Sequence, residues 1–179
     1  MNEIQELQAQ HYKGRAQNTV QSFLIQKLLL PKIYLDADWS GWKLDVLAID
    51  RAGAGDVHGV RFVLWEPNRA DDNGWSSFLE KAVLTAIEDF SDFPGHFRYL
   101  TVICTESDKQ RWIPSRSLRS HSLAPDGVGR VGLLYVNVAE IDAEVEVLQK
   151  PERFRSSKNI VDLADRYVAD HVANWEVRE

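Results

Sequence analysis

The run Phe97-Arg-Tyr-Leu-Thr-Val-Ile-Cys104 constrains the fold more than any other segment. Its apolar character is continuous rather than alternating, the mark of a strand buried on both faces. Such a strand needs cover above and below, so helices must pack on each side of its sheet. The segment before it supplies one. Ser77-Phe-Leu-Glu80 reads as a capping box, and Phe78, Ala82, Val83, Ala86, Ile87 and Phe90 share one helical face until Pro94-Gly95 stops the run. A strand–helix–strand passage of this kind predicts parallel pairing across a crossover.

The remaining segments extend this to an α/β domain. Residues 3–30 read as helical, with Gly14 as the weak point and Pro31 as the stop. Residues 32–36, 42–50 and 57–65 read as strands, the last two joined by a glycine-containing hairpin. After a polar stretch over 105–130, residues 131–137 and 141–148 read as further strands. Asn159 can cap a closing helix in which Ile160, Leu163, Ala164, Tyr167, Val168, His171, Val172 and Trp175 repeat at helical spacing. The chain of 179 residues is expected to form a single domain.

A formal net charge of −6 argues against a uniformly basic, nucleic-acid-gripping surface but leaves room for a local patch. Such a patch is offered by residues 109–130, where Lys109, Arg111, Arg116, Arg119 and Arg130 are interleaved with Trp112 and His121. Cations with aromatic groups suit a nucleic-acid backbone and its bases, while a solvated loop is the plainer reading. Cys104 is the sole cysteine, so neither an intramolecular disulfide nor a thiolate metal cluster can form. No apolar run reaches the roughly 20 residues of a membrane helix, and the N-terminus lacks signal-peptide character. A cytoplasmic location without membrane contact is therefore expected.

The five histidines show no HExxH spacing, and no GxSxG elbow is present. Gly53-Ala-Gly55 lacks a P-loop lysine and reads as a turn. Trp39 and Trp42 flank a turn and read as packing residues before they read as base-stacking ones.

Three segments carry a family resemblance. Tyr12-Lys13-Gly14-Arg15-Ala16-Gln17 resembles the opening of small Holliday-junction-resolvase-like nucleases, in which a helix-borne glutamate follows; Gln17 stands in its place. Leu44-Asp45-Val46-Leu47-Ala48-Ile49-Asp50 is similar to the strand carrying the metal-binding aspartate, here Asp45. Val60-Arg61-Phe62-Val63 falls where an acidic-x-lysine motif belongs, putting Arg61 at the acidic position and Val63 at the lysine position. The chain thus resembles the PD-(D/E)XK restriction-endonuclease-like superfamily over roughly residues 12–154. The resemblance implies an α-β-β-β-α-β core with a mixed sheet, followed here by extra strands and a closing helix.

The chemistry of that family is metal-assisted phosphodiester hydrolysis, with carboxylates holding Mg²⁺ and a lysine near the nucleophile. Here Gln17 is neutral, Arg61 is a permanent cation expected to pair with Asp45, and Val63 transfers no proton. The expectation is an inactive nuclease-like module without a cofactor, binding nucleic acid through the local basic loop or binding a protein. A homodimer through the last helix is an alternative use of that helix's apolar face. Two rival functions remain open at this point: an Mg-dependent nuclease rebuilt around Asp45 and Glu66, and an interaction domain unrelated to nucleases. Asp50 and Asp56 are read as hairpin polar residues.

Overall fold

In the computed structural model the described residues are 3–30, 32–39, 41–50, 55–65, 75–105, 114–116, 118, 129–156, 160–164 and 166. Helix α1 (Glu3–Lys27) is followed by strands β1 (Lys32–Trp39), β2 (Trp42–Ile49) and β3 (Val57–Trp65). Helix α2 (Trp75–Asp89) leads to β4 (Phe97–Cys104), and β5 (Gly132–Asn137) and β6 (Val145–Gln149) complete the sheet. Residues 160–164 and 166 are helical, at the start of the expected closing helix.

The six strands lie in chain order, β1-β2-β3-β4-β5-β6. Neighbours β1/β2, β2/β3 and β5/β6 are antiparallel, while β3/β4 and β4/β5 are parallel. The chain is therefore an α/β protein with a mixed sheet, in the expected order α-β-β-β-α-β with strands added after it. Strand β4 matches its expected limits, and every residue of it beyond Phe97 is buried.

Two apolar clusters sandwich the sheet. One gathers Leu79, Val83, Ile87 and Phe90 of α2 with Leu47, Leu100 and Leu133, and includes Ile160 and Ala164 of the last helical segment. The other packs Ala16, Val20 and Leu24 of α1 on Val46, Val60, Tyr99 and Leu134. Those three α1 residues recur at four-residue spacing, a narrow stripe that suffices to seat a helix along the sheet.

Some local expectations are corrected. Helix α1 runs through Gly14 without a break, with Tyr12 before it and Ala16 after it both packed on the sheet. It ends where Leu29 adopts φ 56° and the Leu30 N–H returns to the Leu24 carbonyl at 3.1 Å. Helix α2 starts at Trp75, two residues ahead of the expected cap. The Glu80 carboxylate accepts the Ser115 N–H at 2.9 Å, while the Ser77 side chain of the expected capping box lies outside the described residues. Strand β1 continues to Trp39 rather than ending at Asp36, and β6 covers only Val145–Gln149, with a turn at residues 141–142.

Candidate functional site

Alternation fails between β1 and β2, on the two neighbouring strands together. Tyr34 and Ala37 of β1 belong to the same core, as do Leu44 and Leu47 of β2, steps of three residues where a regular strand allows two. Between them Asp36 faces Asp45, since Leu35 pairs with Val46 and Ala37 with Leu44. Asp36 makes the slip by adopting φ 50°, a left-handed conformation that aspartate tolerates better than most residues.

Helix α1 meets this slip with Lys13 and Gln17, four residues apart and so on one helical face. The Lys13 ammonium lies 2.7 Å from Asp36 Oδ1 and 2.7 Å from Asp45 Oδ1. The Gln17 amide donates to the Asp45 carbonyl at 3.3 Å and also hydrogen-bonds the Asp36 carboxylate. Asp45 uses its second oxygen too. The β2/β3 pairing stops at Val46 and Val60, and beyond it the Phe62 N–H donates to Asp45 Oδ2 at 2.7 Å. A side chain has replaced the next rung of the ladder.

The electrostatics follow from this geometry. Burial works to lower the Lys13 amine, but the hydrogen bonds and charges of Asp36 and Asp45 outweigh it and raise its pKa above the ordinary lysine value. Burial works to raise the Asp36 carboxyl, but the Lys13 ammonium and the Gln17 amide hold it below the usual carboxylate range. Side-chain exposure is 42% for Lys13 and 19% for Asp45, so water screens this trio only in part.

Above the trio opens a cavity of about 400 Å³ lined by Lys13, Asp36, Asp38, Lys43, Asp45 and Arg61, with Ala37, Leu44 and Phe62. Among the described residues no ion pair joins Arg61 to Asp45; the cation that pairs with Asp45 is Lys13, from a helix rather than from the neighbouring strand. The reason lies in alternation on β3. A Cβ on Gly59 would point at Phe93, and Val63 packs against the same core, so Arg61 between them shares that face while Asp45 turns toward α1.

Of the residues singled out by sequence, Gln17 and Asp45 are brought into contact and Arg61 joins the same cavity wall, whereas Val63 is packing. Glu66, Lys109, Arg111, Trp112 and Arg119 lie outside the described residues, as does His171. Arg116 is described and exposed, next to the Ser115 that binds Glu80. Trp39 and Trp42 are packing residues, each edge-on to Phe93 at 6.0 and 6.1 Å. Asp56 pairs with Arg153 at 2.8 Å, in keeping with a structural hairpin role. Asp36 escaped the sequence reading because the strand was expected to stop there; its signal is an acidic residue inside an otherwise strand-forming run.

The described residues of this site do not fit a divalent metal. Among the described residues no cluster of three or more His, Cys, Asp or Glu side chains is placed to hold one. Both oxygens of Asp45 are engaged by Lys13 and the Phe62 N–H. No helix among the described residues is long and apolar enough to cross a membrane.

No family model matches the chain, and no curated protein matches it. Among solved structures the chain is similar to SPO1766, a protein of unknown function from Silicibacter pomeroyi, at 12% sequence identity and a TM-score of 0.41, over 79% of this chain and 74% of that one.

Proposed function

We propose that the chain is a PD-(D/E)XK-like domain that has lost metal-dependent cutting and serves as a nucleic-acid-binding module. One observation carries this reading: the Lys13 ammonium sits 2.7 Å from both Asp36 and Asp45, between the carboxylates that a divalent ion would have to bridge. An internal cation needs no recruitment from solution, so a free ion must displace it before binding, which raises the threshold for metal capture. Gln17 in place of an acid and Val63 in the core point the same way. The α-β-β-β-α-β order supports the family assignment. Lys43 in the cavity wall supplies a cation that a phosphodiester backbone recognises.

The test has two arms. Single-stranded, duplex and branched DNA and RNA are incubated with the full chain and Mg²⁺ or Mn²⁺, and binding is followed by gel shift at low salt. Shifted but uncut nucleic acid, with binding weakened in Lys43→Glu, is the expected result. Metal-dependent cleavage that disappears in Asp45→Ala would establish an active nuclease instead. Absence of any shift at low salt leaves only the protein-interaction reading.

A further inference from the structure

The sheet margin where β3 and β4 begin holds a second polar cluster, remote in sequence from Lys13. The Val57 N–H donates to His96 Nδ1 at 3.0 Å. A backbone N–H can only donate, so Nδ1 must carry a lone pair and the ring proton of the neutral imidazole resides on Nε2. Asp56 Oδ1 lies 3.5 Å from the same Nδ1, two acceptors facing each other. Arg153 makes this tolerable by donating to Asp56 Oδ1 through Nε at 3.0 Å and through its terminal nitrogen at 2.8 Å.

His96 is also a backbone junction. Its N–H donates to the Val57 carbonyl at 2.8 Å, and its carbonyl accepts the Phe154 N–H at 2.8 Å. Glu152 and Arg130 exchange backbone hydrogen bonds beside it, and the Ser156 hydroxyl donates to the Pro94 carbonyl at 2.5 Å. The Phe154 ring lies under the Arg98 guanidinium at 3.7 Å. These contacts strap residues 152–156 onto the sheet margin, immediately before the helical segment whose Ile160 and Ala164 complete the α2-side core.

We propose that His96 is a proton-operated latch for the strap formed by residues 152–156. Protonation places a hydrogen on Nδ1, where it opposes the Val57 N–H and turns toward Asp56. The Val57 bond is lost, and Asp56, shared with the new donor, loosens from Arg153. The charged groups around the ring are Asp56 from the β2–β3 connection and Arg153 from the strap itself, with His58 of β3 close enough to couple to it. Burial first, then the Arg153 guanidinium, hold His96 below the ordinary histidine value against the pull of Asp56, so the latch is closed at neutral pH and opens on acidification.

Hydrogen exchange of the full chain between about pH 7.5 and about pH 5, corrected for intrinsic exchange, tests the latch. His58, which titrates at about 4, stays neutral across that window. The Val57, Glu152 and Phe154 amides should lose protection relative to the central amides of β4. His96→Asn keeps an acceptor near the Nδ1 position without titrating and should abolish the change. Unaltered protection in the wild type, or the same loss in His96→Asn, overturns the latch. If that variant fails to fold, nitrogen-detected NMR of the wild type decides: strap shifts must titrate with the His96 ring, starting from the Nε2–H tautomer, and a different midpoint or an Nδ1–H tautomer rejects the idea.

Discussion

Lys13 and Asp45 meet at 2.7 Å across 32 residues of chain, and the same ammonium holds Asp36 at 2.7 Å. Replacing Lys13 by Met would leave two carboxylates facing each other without a counter-ion. Because the trio is partly screened, the expected loss is about 1–2 kcal/mol by urea denaturation, below the cost of breaking a fully buried pair. A cycle combining Lys13→Met with Asp36→Asn and Asp45→Asn should recover about 1 kcal/mol of that loss. Strictly additive effects would mean that the ammonium contributes no coupling.

Acidification should unfold the chain through a second histidine. His58 is 7% exposed, stacks on Phe97 at a 4.7 Å ring separation, and has a buried Nδ1 without a hydrogen-bond partner. Burial, only partly opposed by Asp56 and Asp50, lowers its pKa to about 4. The unfolded chain therefore binds this proton more readily than the folded one. The His58 contribution is complete above the unfolded value of 6.5 and is lost as pH falls toward about 4. The gap between those values corresponds to about 3 kcal/mol, read as a falling urea midpoint. His58→Phe should flatten the profile; an unchanged slope would assign the acid sensitivity elsewhere.

Gly59 is the point of closest approach between β3 and the aromatic cluster. A Cβ there would lie 2.5 Å from Phe93 Cε1 and 3.0 Å from the Phe90 ring. Gly59→Ala should lower stability by about 1–3 kcal/mol through overpacking. Phe93→Leu in the same chain should restore part of it, since the clash is with a side chain. Full tolerance of Gly59→Ala would show that Phe93 moves freely.

Gly14 predicts the opposite sign. It lies inside α1, and a Cβ on it would meet nothing within 4 Å. Gly14→Ala should raise stability by about 0.5–1 kcal/mol by restricting the unfolded chain, with a matching rise in thermal midpoint. A fall would point to a demand on the helix beside Lys13 that the helical geometry does not display.

What sequence could reveal depended on range. Strand β4 and the crossover helix before it were legible because burial on both faces is written into consecutive residues. Gln17 and Asp45 were each singled out in the sequence, but their contact was not, because a helix residue and a strand residue 28 positions apart share no local pattern. The role of Lys13 was not, because an ammonium reaching two carboxylates on two strands leaves no local periodicity. Arg61 was assigned the partner that Lys13 holds, since adjacency on neighbouring strands suggested contact, whereas alternation on β3 gives it the face shared with Gly59 and Val63.

The slip at Asp36 has one more consequence, because β1 is an outer strand of the sheet. A foreign chain seeking to add itself there would find the backbone twisted out of register midway and an aspartate, 62% exposed, at the break. The turn that lets a lysine join two acids thereby also denies this margin to strand-on-strand aggregation.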